Sequence, residues 1–304
     1  MVIKDIVVYP NSSFVRASDD LRRSFPPIKD RIRIFDDVYA EKLNRDTWEK
    51  TYRSCTLIGH KDATPQFTQL YAFVRELQGE IENKQSMIWD HDERLQLCLG
   101  LSRIVYPTNI SFEFAARFIY EGEKLRNVIP GPVKEFGAKA WISRDDVRDW
   151  LSIDEAKELA SVVEAFYRSE SMLPKRVKRA LWYLEYAFRT EFLDVRWPLI
   201  CTGLESLIHT DRQRSTMQFS RRVSLLADRM GICDFTYERV KEAYNTRCTL
   251  VHGKLFRDMD PYQLDLYEKT ENTLRLAIKK AILEPDFAST FSSEERIKAV
   301  YPVS

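Results

Sequence analysis

From about residue 143 to residue 284, segment after segment carries apolar residues at three- and four-residue intervals. That period fits helices burying one face each against one another, and it constrains the fold more than any other feature of the chain. Helices are expected over roughly 153–169, 174–191, 195–210, 215–230, 236–252 and 262–284. Ser143 with Asp146, and Ser152 with Glu155, have capping-box spacing, and Pro174 sits where a first helical turn tolerates proline. Phe219, Val223, Leu226 and Met230 keep one face apolar, as do the leucines, isoleucines and alanines from Leu264 to Leu283. A last short helix is expected behind Ser292 and Glu295. The first 150 residues differ, with short segments broken at Pro26-Pro27, Pro65, Pro107 and Pro130-Gly131-Pro132. Val2 to Tyr9 and Arg31 to Phe35 read as strands, Asp92 to Val105 and Ser111 to Tyr120 as helices. The expected fold class is therefore mainly α: a mixed, loop-rich α/β region over 1–150 and a helical domain over 151–304.

Composition narrows the chemistry. Across 304 residues, 44% hydrophobic and 31% charged content describes an ordinary globular chain. No window approaches the ~18 apolar residues of a membrane span, and the first ten residues lack the apolar core of a secretion signal, so a cytoplasmic location is expected. The five cysteines, at 55, 98, 201, 233 and 248, are odd in number and scattered, as reduced core thiols are. Histidines 60, 91, 209 and 252 form no ligand spacing with them, and none of the nine glycines makes a phosphate loop, so neither a metal nor a cofactor is expected. Net charge is only +1, yet residues 171–257 hold 16 Lys and Arg against 9 Asp and Glu. Two clusters dominate, Lys175, Arg176, Lys178, Arg179 and Arg212, Arg214, Arg221, Arg222, as solvated helix faces or as a surface for a polyanion.

The segment Arg247-Cys-Thr-Leu-Val-His252-Gly253 carries the sharpest chemical signal. Val240, Tyr244, Cys248 and Val251 form a helical stripe, Arg247 falls within it, His252 flanks it, and Gly253 is a stop signal. An arginine among apolar residues needs an anion, because its five donors keep their charge. Glu205, beside the stripe Trp197, Cys201, Leu204 and Ile208, is one candidate, which would leave His252 a helix-end residue. A phosphate is the other. Imidazole, with an unperturbed pKa of about 6.5, can take a proton from a ribose hydroxyl or give one to a leaving oxygen, and a guanidinium can hold the phosphate. Residues five apart on a helix are separated by about 140°, so one Arg247 and its own His252 need not face one phosphate. A two-fold pair of chains would remedy this. His209, at a helix end before Asp211, reads as a capping or surface residue, and Trp182, Tyr183 and Tyr186 as core rather than a base-stacking surface.

Three blocks, Trp197-Pro-Leu-Ile-Cys-Thr-Gly-Leu-Glu-Ser-Leu-Ile208, Phe219-Ser-Arg-Arg-Val-Ser-Leu-Leu226 and Tyr244-Asn-Thr-Arg-Cys-Thr-Leu-Val-His-Gly253, in that order, resemble the HEPN superfamily and its ApeA-like group. Ala180 to Tyr186 resembles that group's first core helix, and the resemblance spans about residues 150–285. It implies a HEPN-type helical bundle that dimerises through that domain and brings two Arg-x4-His motifs into one cleft. It further implies a metal-independent endoribonuclease of a toxin–antitoxin or antiviral defence system, acting on RNA, with a protein partner or antitoxin as a further expectation. Arg247 and His252 match the motif residues, Glu205, Asn245 and Cys248 support them, and Arg221, Arg222 and Lys254 would contact nucleic acid. The group more often carries serine where Cys248 stands. Members paired with a nucleotidyltransferase antitoxin carry tyrosine where Lys254 stands, which speaks against that pairing. The alternative is a non-catalytic module that binds RNA, nucleotide or a protein through the same surfaces.

Overall fold

The computed structural model describes residues 2–10, 31–42, 70–78, 93–107, 114–130, 151–190, 192–211, 213–253 and 259–303. The Ser143 and Asp146 capping pair, Cys55, His60, His91, Arg212 and Lys254 lie outside them. The chain divides into two compact units, residues 1–138 with 144–164 and residues 139–143 with 165–304.

The first unit is built on a six-stranded antiparallel sheet. Its strands are β1 (Val2–Pro10), β2 (Ile32–Phe35), β3 (Val38–Lys42), β4 (Leu70–Gln78), β5 (Phe114–Glu121) and β6 (Lys124–Pro130), in the order β2-β3-β4-β1-β5-β6. Helix α1 (Glu93–Val105) joins it, close to the expected 92–105. The expected helix over Ser111 to Tyr120 is instead β5, paired with β1 on one side and β6 on the other. Aromatic and β-branched residues suit a pleated surface, and Phe118 and Tyr120 stack at 6.5 Å, a contact that period two permits and a helix does not. Gly122, at φ +60°, opens the two-residue turn into β6.

Asp37, in the β2–β3 turn, ties α1 to the sheet: Arg75 Nε from β4 and Arg94 Nη1 from α1 each donate to its carboxylate at 2.8 Å. Burial raises this carboxyl, but the two arginines outweigh it and hold it below its ordinary value. A depressed carboxyl stabilises the fold above the unfolded value of about 3.9 and loses that contribution as pH falls through the folded value. Urea midpoints of wild type and Asp37→Asn are therefore expected to differ at pH 7 and to converge as the pH falls through the folded value of Asp37.

Helix α2 (Ile153–Ser169) starts at the expected capping box: Glu155 N donates to Ser152 Oγ at 3.2 Å and Ser152 N to Glu155 Oε2 at 2.8 Å. Residues 153–164 of α2 belong to the first unit, and the second takes its last turn and then α3 (Lys175–Phe188), α4 (Leu193–Ile208), α5 (Ser215–Arg229), α6 (Tyr237–Val251) and α7 (Pro261–Leu283). After α7 come α8 (Pro285–Ser289), a 3-10 turn (Thr290–Ser292) and α9 (Glu294–Val300). Ser293, one residue beyond the expected Ser292, caps α9 by accepting from Arg296 N at 3.3 Å.

Each long helix buries one face, as its period requires. Trp197, Cys201, Leu204 and Ile208 of α4, Phe219, Val223 and Leu226 of α5, and Leu266, Leu274 and Ile278 of α7 are all buried. Gly203 lets α4 approach α7, since a Cβ there would lie 2.7 Å from a buried Leu274 methyl. Inside this core Arg196 donates to Tyr267 Oη at 2.6 Å and to Glu271 Oε2 at 3.1 Å, and Tyr267 donates in turn to Glu271. Among the described residues no helix is long and apolar enough to cross a membrane.

Candidate functional site

Helix α6 begins after Thr236 and ends at His252, where Gly253 adopts φ +90°, the left-handed conformation that ends helices at glycine. Its buried stripe is Val240, Ala243, Tyr244 and Leu250, with Arg247 half-buried in the same row. Val251 belongs to the stripe by angle, yet in the last turn it is 56% exposed. Cys248 is intermediate, and Asn245 and His252 are exposed.

Across from this row stands Glu205 of α4. Tyr244 Oη donates to Glu205 Oε1 at 2.7 Å, and Arg247 Nη2 lies 3.6 Å from Oε2. Burial and then the neighbouring carboxylate push the Tyr244 phenol up, so it stays a donor. Burial disfavours the Arg247 charge, but Glu205 with Tyr244, Cys248 and Cys201 together outweigh it and raise the guanidinium above its ordinary value. At 3.6 Å the carboxylate is a counter-charge and not a hydrogen-bond partner. Arg247 Nε is buried without any hydrogen bond, and the guanidinium carbon lies 5.5 Å from the Tyr244 ring centre. Burial pushes the Cys201 thiol one turn before Glu205 upward, so it remains an uncharged part of the wall.

Arg247, Glu205, Tyr244 and Cys248 are thus brought together, with His252 at the end of the same helix. Arg221 is exposed on α5. Arg222 departs from its expected place on the nucleic-acid surface: it is buried and donates to the carbonyls of Tyr301 at 3.2 Å, Ile208 at 3.4 Å and His209. Those carbonyls end α4 and α9, where backbone acceptors lack helical partners, so an arginine in reach of both is drawn inward. His209 caps α4 with φ 53°, and its Nε2 lies 3.0 Å from Asp211 and 3.3 Å from Glu294. Tyr244, a partner of both members of the ion pair, is a site residue that the sequence signals only as one more apolar stripe position. Comparison with family models, with curated proteins and with solved structures finds no match to this chain.

Proposed function

We propose that this chain is a metal-independent endoribonuclease of HEPN type, active as a homodimer. The observation that carries this reading is the state of Arg247: charged, one quarter exposed, and facing Glu205 with Nη2 beyond hydrogen-bond range. A guanidinium so held has donors to offer a phosphate, and exposed His252 follows it on the same helix. Cleavage would proceed by attack of a ribose 2′-oxygen on the adjacent phosphorus as its proton passes to a base. The bond to the 5′-oxygen breaks as that oxygen takes a proton from an acid. The imidazole that takes the proton from the 2′-oxygen can return it to the 5′-oxygen, and a two-fold pair would set it beside the Arg247 of the other chain. The products would be a 2′,3′-cyclic phosphate and a 5′-hydroxyl, formed equally well with EDTA present. RNA left intact by the homogeneous protein, with or without added divalent ions, would remove the enzymatic reading.

A second reading is a non-catalytic module, and the Glu205–Arg247 pair itself favours it. There Arg247 is a core charge neutralised by Glu205 and Tyr244, and His252 is a helix-end residue favoured by the helix dipole. The two readings differ in a measurable way: the nuclease loses cleavage when His252 is replaced, whereas the module has no cleavage to lose. The toxin–antitoxin or antiviral setting, a cytoplasmic location and a protein partner remain parts of the proposal.

A further inference from the structure

The solvent face of α3 carries features that the proposed cleavage site does not use. At about 100° per residue, positions 175, 178, 179, 182, 186 and 189 fall within an arc of roughly 100°. All six are exposed: Lys175, Lys178, Arg179, Trp182, Tyr186 and Arg189. The opposite face, Val177, Ala180, Leu184, Ala187 and Phe188, is buried. Trp182 is 51% exposed and Tyr186 44%, where helical spacing alone had suggested core. Their rings meet edge to face at 4.6 Å, leaving π-surface open to solvent, and Arg189 lies 5.9 Å from the Tyr186 ring centre. Glu185, which pairs with Arg189, is the one acid between residues 175 and 189. Lys175, Lys178 and Arg179 have no acidic partner among the described residues.

We propose that this face of α3 is a stacking platform for single-stranded RNA. Bases lie on Trp182 and Tyr186 while phosphates run along Lys175, Lys178 and Arg179. The proposal rests on RNA being the substrate and adds where the strand is gripped outside the cleavage site. Exposed aromatics interleaved with unpaired cations are what strand binding without sequence readout requires, since every base has a π-face and every nucleotide a charge. Lys175, Lys178 and Arg179, without acidic partners among the described residues, favour a polyanion over a protein surface, where lysine is depleted. A second copy fits poorly, because a two-fold contact would set two such cationic faces together.

The test uses full-length His252→Ala protein and a fluorescein-labelled oligouridylate, followed by anisotropy at several salt concentrations. Adding Trp182→Ala is expected to raise Kd by roughly 5- to 150-fold, the range that loss of one stacked base implies. Trp182→Phe should restore most of the affinity. Lys178→Glu with Arg179→Glu should flatten the slope of log K against log salt by about 1.4, for two lost phosphate contacts. Equal affinity with and without Trp182, or no binding by the parent, overturns the platform. So does a Trp182→Ala protein that changes only its oligomeric state. If RNA binds through Trp182 yet wild type never cleaves it, the platform stands and the nuclease reading falls. If wild type cleaves and Trp182→Ala alters neither binding nor the rate at subsaturating RNA, the reverse holds.

Discussion

RNA cleavage in the presence of EDTA is expected to fall by about 10²–10⁴ when His252 is replaced by alanine, the range of a lost general acid or base. Arg247→Ala should lower it by about 10²–10³, as loss of a donor aimed at developing charge does. The two variants should part company in stability. His252 is exposed at the end of α6, so its removal leaves the melting temperature close to wild type. Removing Arg247 strips half-buried Glu205 of its counter-charge but leaves it the Tyr244 hydroxyl, so a loss of about 1 kcal/mol is expected. Arg247→Lys keeps the charge and loses the planar fork, and it should recover only part of the activity. Rates from single-turnover assays on a labelled oligonucleotide, beside urea melts, separate the two effects.

Breaking the buried network of Arg196, Tyr267 and Glu271 should have the largest effect on folding. The Arg196 side chain is fully buried and that of Glu271 is 2% exposed, so neither charge has water to fall back on. Burial drives the Tyr267 phenol well above its ordinary value, and it remains a hydroxyl that accepts from Arg196 and donates to Glu271. Glu271→Leu removes a buried counter-charge and hydrogen-bond acceptor from the Arg196 guanidinium and is expected to cost about 3–5 kcal/mol. That is a large share of the ~5–15 kcal/mol that holds a domain folded. Arg196→Met combined with Glu271→Leu should be less destabilised than the sum of the single changes, because no charge is then stranded. Urea midpoints for the four proteins measure the coupling directly.

The helices of the second unit were legible because each buries a single stripe, and their ends fall within a few residues of the expected ones. Phe114 to Glu121 was not. A short apolar run without strict alternation fits helix or strand, and pairing with β6 across a tight turn and with the sequence-distant β1 decides it. Glu205 was found as a partner of Arg247 because both stand in apolar rows that the helical period predicts will face inward. Arg222 and Trp182 were misplaced for one reason. Type and spacing say that a residue lies on a helix, but which face meets a neighbour depends on where the other helices run. The carbonyl ends of α4 and α9 drew Arg222 inward, while the burial of Val177, Leu184 and Phe188 left Trp182 outside. The network at Arg196 carries no distinct signal, because Glu271 is one of several charged residues in the helix after Pro261.

The central claim, that Arg247 and His252 of two copies form one RNA-cleaving site, is tested most directly by mixing. Arg247→Ala and His252→Ala proteins, each far slower than wild type alone, are unfolded together, refolded to exchange subunits, and assayed on RNA in EDTA. A mixed pair retains one Arg247 and one His252 on different chains, so cleavage ending in 2′,3′-cyclic phosphate is expected to return to a fraction of the wild-type rate. A mixture that forms mixed dimers and stays as slow as its components, or either variant cleaving alone at the wild-type rate, would contradict the account.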